Sequence, residues 1–299
     1  MFAAILTTIL WAVSVVCAHR SAKMIGGSEA NFWRLTVATT LLGAWAYGFG
    51  QRLEGESFLL FFWSGVVGIG FGDVALFQAL PRMGSRVTIL IIQCLSAPFA
   101  AFIEWIWIGT KLTTAQMLCG IVILCGVSLA LTPLKHLNLN RRQMMIGTSF
   151  SVLAALGNSF GAVLSRKGYV AMTDPSQTID GGTAAFQRLI GGLLVAGLWL
   201  LIVKRGTQSP SRFASAGEKW RKVWPWVLAN GFAGQTLGNT FYLLALKHTP
   251  TGIVMPIIAT TPLVVIPFAR WMEAEKPTAR SVFGAVIAVL GVIGLVMAK

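Results

Sequence analysis

The sequence predicts an all-α membrane protein of ten transmembrane helices, arranged as two inverted five-helix repeats. Three observations lead there. Of its 299 residues, 55% are hydrophobic and only 11% charged, against roughly 25% charged in a soluble domain. Apolar stretches near the ~20 residues of a spanning helix recur at 2–18, 32–50, 58–80, 87–108, 115–133, 144–164, 184–203, 223–246, 251–269 and 281–298. The segment SGVVGIGFGDVALFQAL (64–80) also returns at 230–246 as NGFAGQTLGNTFYLLAL.

The repeat extends beyond that pair. Without a gap the two segments share Gly65/Gly231, Gly68/Gly234, Gly72/Gly238, Ala79/Ala245 and Leu80/Leu246, with Asp73 opposite Asn239. Ile91-Ile92 matches Ile257-Ile258, and after a small shift Pro98 matches Pro262, Trp107 matches Trp271 and Gly120 matches Gly284. Upstream, Phe32-Trp33-Arg34-Leu35 echoes Phe186-Gln187-Arg188-Leu189. The polar, basic stretch PLKHLNLNRRQ (133–143) separates the halves. This divides the chain into a first repeat 1–135, a linker 136–143 and a second repeat 144–299. Five spans per repeat is an odd number, so the two copies take opposite orientations across a bilayer, the plan of many secondary transporters.

The elements follow in order. Span 1 lacks a preceding basic residue and reads as a retained helix, not a cleaved signal; Thr7, Trp11 and Ser14 form its polar stripe. Span 2 begins with Arg34, which either snorkels to the interface or points at a cavity, to hold a carboxylate or pair with Asp73. In span 3, Gly65, Gly68 and Gly72 share one α-helical face and admit a close neighbour. The spacing in GIGFGD does not fit a phosphate loop. Asp73 lies about 22 Å into this span. A carboxyl at that depth is costly unless paired, protonated or facing water, which makes it a candidate proton carrier or amine-binding group.

Span 4 brings Gln93, Ser96 and Pro98, while Glu104, among Trp105 and Trp107, is expected to snorkel to an aromatic belt. Spans 5 and 10 are apolar and glycine-spaced, and are expected at the periphery. Ser151, Asn158 and Ser165 recur at sevens along span 6. Arg188 opens span 7 as Arg34 opens span 2. Gln235, Asn239 and Tyr242 give span 8 a polar stripe, whereas span 3 offers only Ile69, Asp73 and Leu76 there. The central site is thus expected to be chemically lopsided. Thr260 and Thr261 in span 9 complete a ring of neutral polar groups, and Pro98, Pro256 and Pro262 interrupt backbone hydrogen bonding as static kinks or flexing points. The candidate substrate-binding residues are therefore Arg34, Asp73, Arg188 and Asn239, with Trp11, Gln93, Ser151, Asn158, Gln235 and Tyr242 around them. Interhelical hydrogen bonding is the competing role for the neutral members.

The formal charge of +14 suggests no nucleic acid, because bilayer proteins collect Lys and Arg in their cytoplasmic loops. With Arg34 and Arg188 assigned to the loops they adjoin, odd-numbered loops hold 17 basic residues, and even-numbered loops and termini hold 7. That places the odd loops in the cytoplasm and both termini outside. Cys17, Cys94, Cys119 and Cys125 fall inside spans without a CxxC pattern and read as packing residues. His19, His136 and His248 form no cluster, so no metal or cofactor is expected. No nucleophile motif, carboxylate pair or HExxH is present, so the chain does not read as an enzyme.

In these residues the chain resembles the EamA-type branch of the drug/metabolite transporter superfamily. The resemblance rests on Phe32-x-Arg34, Ala79-Leu80, Pro98 and Gly120-x5-Gly126 in the first half. In the second it rests on Phe186-x-Arg188, Ala245-Leu246, Pro262, Ala274-Glu275-Lys276 and Gly284-x6-Gly291. Lys111 stands where the second half has Glu275, and the loop 168–183 is longer than its counterpart. The resemblance implies ten helices and transport, export as readily as uptake. It also implies cytoplasmic termini, against the Lys/Arg count, which is kept because it comes from this chain.

The expected function is alternating-access transport of a small polar or amphipathic metabolite, such as an amino acid or related compound, with Asp73 as the proton-coupling residue. The expected location is a multi-pass position in a cell membrane, the bacterial inner membrane, with the lipid bilayer and the metabolite as partners and a homodimer left open. The alternative is a non-transporting membrane sensor or assembly protein.

Overall fold

The structure is a computed structural model that describes residues 1–131, 141–172, 179–206, 216–265 and 279–298. Among these there is no strand. The helices are α1 (Phe2–Ile25), α2 (Gly27–Gly48), α3 (Phe58–Gly65), α4 (Gly72–Ile108), α5 (Thr114–Leu131), α6 (Arg141–Val170), α7 (Gly181–Gly206), α8 (Ala216–Asn230), α9 (Asn239–His248), α10 (Thr251–Ile258) and α11 (Ala279–Met297). Two π-helical stretches, π1 (Val66–Phe71) and π2 (Gly231–Gly238), join α3 to α4 and α8 to α9. The expected matches at Trp271 and Ala274-Glu275-Lys276, His136 and most of the linker lie outside the described residues.

Local chemistry sets the helix ends. Gly26 alone joins α1 to α2, with φ 88° and ψ 153°, a region open essentially to glycine. Gly109 ends α4 in the left-handed conformation, φ 77°, as a helix C-terminus favours. A reciprocal capping box starts α5: Gln116 N donates to Thr113 Oγ1 at 3.2 Å and Thr113 N to Gln116 Oε1 at 3.0 Å. Asp180 caps α7, accepting from the backbone N–H groups of Gly182 (2.8 Å) and Thr183 (3.0 Å).

Six helical stretches are long and apolar enough to cross a membrane: Phe2–Ala22, Phe58–Leu76, Val87–Ile108, Arg141–Val170, Gly181–Val203 and Ala279–Met297. Two shorter apolar helices are Thr114–Ala130 and Thr251–Val265. Their outward faces are greasy: Leu198, Ile202, Phe283, Leu290 and Ile121 are exposed, whereas Ser64, Ser159, Ser165, Arg188 and Asn239 are buried. Polar-in, apolar-out is the arrangement of a multi-pass membrane protein, since contiguous exposed apolar surface of this extent is foreign to soluble monomers.

The segment Gly72–Ile108 is helical throughout, so no helix break marks the expected turn between spans 3 and 4. Its contacts reverse all the same. A Cβ at Gly157 would lie 3.1 Å from Gly72 Cα, and Ser159 Oγ donates to Ser96 O at 2.9 Å. In a straight helix Gly72 and Ser96 would stand about 36 Å apart, so both cannot meet one turn of α6. The segment doubles back near Met83, which packs against Gly147.

The same exchange of halves runs through the packing. The rod α3–π1–α4 lies on α6 and α7, and its counterpart α8–π2–α9 lies on α1, with α8 and π2 also on α2. The equivalent helices α2 and α7 pack together and run antiparallel: Phe32 meets Gly197 at one end, and Gly43 meets Phe186 towards the other. Helices α5 and α11 do likewise, from Gly284 beside Ala130 to Gly294 beside Cys119. Backbone meets backbone there, a Cβ at Gly284 falling 2.6 Å from Ala130 N. Small residues allow the close approach that dispersion forces need in lipid. The α5–α11 pair borders the assembly, and the rods and α2–α7 enclose its polar interior.

Candidate functional site

The interior is built around two arginines on equivalent helices. Arg34 Nη2 meets Asp73 Oδ2 at 3.1 Å, both side chains being under one-fifth exposed. Arg34 Nε donates to Asn31 Oδ1 at 2.8 Å, which holds the guanidinium in place. Asp73 is the second residue after π1, at the start of α4. In the other half Arg188 Nη1 donates to Asn239 Oδ1 at 3.3 Å, and Asn239 is the first residue after π2. The guanidinium of Arg188 also lies over the Tyr242 ring, 5.1 Å from its centroid, and Tyr242 packs against Trp11 at 5.3 Å. Each half thus sets an arginine of its second helix against the polar residue that follows a π turn. One partner is an acid and the other an amide.

The glycine ladder makes this possible. The first glycine of each ladder faces the arginine of the opposite half: a Cβ at Gly65 would overlap the carbonyl oxygen of Arg188, and one at Gly231 would lie 3.0 Å from the carbonyl oxygen of Arg34. Gly68 leaves room for the Arg188 guanidinium, whose Nη2 is 3.0 Å from where its Cβ would stand. The ladder therefore seats the arginines as well as packing helices. Its spacing reads as one α-helical face, but π1 and π2 widen the helix there, a local geometry that often marks functional sites.

The remaining candidates divide. Tyr242 stands beside Arg188, and Trp11, whose Nε1 donates to Gly234 O at 3.1 Å, packs on Tyr242. Asn158 stands beside Gly72, one residue from Asp73. Ser151 is buried, and its hydroxyl donates to the carbonyl of Gly147 on its own helix at 2.9 Å; Ser165 bonds Ser64 at 2.6 Å. Gln93 and Gln235 are half-buried, and among the described contacts none joins them to the arginines. Thr260 and Thr261 donate to the carbonyls of Ile257 and Ile258, both at 2.6 Å, where the helical path of Thr251–Val265 is interrupted at 259–260. The chemistry thus concentrates on Arg34, Asp73, Arg188, Asn239 and Tyr242. Tyr169, which sequence reasoning passed over, joins them: it is buried and within electrostatic reach of Arg188. It lies four residues past Ser165, so extending the polar stripe of span 6 by one turn reaches it.

Glu104 requires a correction. It does not snorkel: it is 1% exposed. Its carboxylate accepts from Thr251 N at 2.6 Å and from the Thr251 hydroxyl, capping α10 from another helix. Arg166 Nε stands 3.7 Å from the other carboxylate oxygen. Arg166 Nη1 donates to the carbonyls of Leu246 (2.7 Å) and Lys247 (2.6 Å) at the end of α9. One ion pair therefore satisfies both ends of the turn between α9 and α10. More polar ties gather at this even-loop end. Trp45 Nε1 donates to Asp180 Oδ1 at 3.0 Å, Ser57 Oγ to Gly168 O at 2.6 Å and Lys247 Nζ to Ile179 O at 3.0 Å. Gln187 Nε2 donates to Arg52 O and Glu54 O, both at 3.2 Å.

Among the described residues no group of His, Cys, Asp or Glu is arranged to hold a metal ion, and the cysteines are free thiols. In comparisons with known proteins, a sequence model of the EamA-like transporter family matches residues 1–132 and 145–297. No curated protein matches the chain. A solved structure described as "Crystal structure of protein" superposes with a TM-score of 0.79 at 13% identity, covering 98% of this chain and 95% of that one. At that identity the likeness concerns the fold alone.

Proposed function

Because the chain belongs to the EamA-like transporter family, whose members are transporters and not enzymes, we propose that it is a ten-helix secondary transporter of a small polar or amphipathic metabolite. The two repeats are inverted across the membrane and rock against each other, exposing the central site to one side and then the other. One observation carries this reading. Equivalent helices α2 and α7 run antiparallel through a buried interior that holds two arginines, an acid and an amide. Ionisable residues in such an interior mark substrate or ion pathways.

Asp73 carries the coupling proton in this scheme, alternating between the Arg34 ion pair and a protonated form. With the odd-numbered loops in the cytoplasm of a bacterial inner membrane, the tied even-loop end is the outer one, so this conformation is closed to the outside. The test is counterflow and uptake in proteoliposomes against a metabolite panel, with pH and voltage gradients imposed separately. Saturable exchange of at least one compound is expected. Absence of exchange for the whole panel, with the protein monodisperse and reconstituted, would overturn the reading.

A further inference from the structure

The two arginine sites are not equivalent in charge. Arg34 has a carboxylate, whereas Arg188 has an amide in the same place. Counted over the interior, Arg34 and Arg188 bring two positive charges and Asp73 one negative charge; Tyr169 and Tyr242 are phenols. Asp73 pairs directly with Arg34 and stands within electrostatic reach of Arg188 too, so the two arginines share one acid and one positive charge is left over; Arg188, 4% exposed, is the more buried of the two. A buried cation lacking a counter-charge is strongly unfavourable.

The hydrogen bonding is short in the same sense. Three buried polar atoms lack a partner here: Arg188 Nε, Nδ2 of Asn239, whose oxygen bonds Arg188, and Oη of Tyr169, which is within electrostatic reach of Arg188. Asn239 is 2% and Tyr169 8% exposed. Arg188 Nε and Asn239 Nδ2 can only donate, and the Tyr169 hydroxyl can donate or accept, so the two donor-only atoms leave the cluster short of acceptors. Asn239 already presents its oxygen to Arg188, which leaves its NH2 for something else. What fits is a single group with one negative charge and several acceptor sites. A carboxylate has that charge and about four lone-pair sites, and guanidinium–carboxylate pairing is strong and directional.

Resting on the transporter reading, we infer that Arg188, Asn239 and Tyr169 form the seat for the carboxylate of a transported organic acid or amino acid. The Arg34–Asp73 pair is already balanced and does not take part in holding that carboxylate. Symmetry breaking at position 239 creates the site: an acid there would occupy the seat permanently.

The test compares matched acids and amides, namely the common amino acids and simple monocarboxylates against their primary amides, with chloride titrated separately. Thermal stabilisation and titration calorimetry of the purified full-length protein read binding. At least one carboxylate is expected to bind, its amide roughly 10- to 100-fold more weakly. Asn239→Asp is expected to fold, as judged by monodispersity, and to lose carboxylate binding; Arg188→Met is expected to lose it too. Equal binding of acid and amide, unchanged binding by Asn239→Asp, a shift produced wholly by chloride, or no carboxylate-dependent stabilisation across the panel would each overturn the inference. The acid–amide comparison needs no variant, so a misfolded Asn239→Asp does not protect it. Counterflow separates the two readings: exchange of compounds lacking a carboxylate, undisturbed in Asn239→Asp, leaves transport standing and removes the carboxylate seat.

Discussion

Gly65 and Arg188 touch through their backbones: the glycine's missing side chain is filled by the arginine's carbonyl oxygen, which a Cβ would overlap. Neither partner can give way without moving a helix, so Gly65→Ala is expected to lower stability by about 2 kcal/mol or more. Gly231→Ala, whose Cβ would sit 3.0 Å from the Arg34 carbonyl, is expected to cost less. Gly120→Ala is the control, because its nearest neighbour is Pro256 Cγ at 3.7 Å. Unfolding midpoints of the detergent-solubilised proteins check this order; equal midpoints for Gly65→Ala and Gly120→Ala would refute it.

Asp73→Asn keeps the size of the side chain and removes its charge. Uptake driven by an imposed pH gradient is expected to vanish while substrate counterflow and monodispersity persist. Unchanged pH dependence would show that the coupling proton travels elsewhere.

Glu104→Ala leaves Arg166, its side chain only 16% exposed, with its charge unmatched and the first N–H groups of α10 uncapped. Removing one member of a buried pair typically costs about 3–5 kcal/mol, and a loss of that order is expected in chemical denaturation. Glu104→Gln, which keeps an acceptor for Thr251, is expected to fall between the two. A loss under about 1 kcal/mol for Glu104→Ala, the range of exposed pairs, would return Glu104 to the membrane surface.

Asp180 lies ahead of the membrane-spanning part of α7. Partial burial raises its pKa, but bonds from Thr183, Trp45 and Gly182 outweigh that and hold it below the ordinary carboxylate value. A depressed folded value means the stabilisation is complete above the ordinary pKa, about 4, and fades as pH falls through the folded value. Asp180→Ala is expected to lose about 1 kcal/mol, as for a lost helix cap, at neutral pH, with the difference from the unaltered protein shrinking below about pH 4. A difference that stays constant down to pH 3 would show that the charge does not hold the cap.

Much of the architecture was legible because hydropathy and repetition are properties of one-dimensional strings. The glycine ladder, the paired arginines and the Asp73/Asn239 mismatch could all be read before any coordinates. The ion pair of Glu104 with Arg166 could not, because 62 positions separate them and a tryptophan-rich flank argued for the membrane surface. The reversal near Met83 was legible as a span boundary, but not as a turn made without a break in the helix. Ser151 shows another limit: heptad spacing puts it on the face of Asn158 but says nothing of its hydroxyl, which donates to the Gly147 carbonyl on its own helix.

The π turns have one more consequence. A π turn is an α-helix carrying one surplus residue, held as a dislocation in the ladder of backbone bonds. Such a defect moves by exchanging bonds one carbonyl at a time, and each residue it passes is turned by about 100° relative to the rest. The dislocation ends two residues before Asp73 in one rod and one residue before Asn239 in the other. A one-residue shift of either π turn would re-aim the side chain that it passed, which makes 73 and 239 the positions most exposed to such a change.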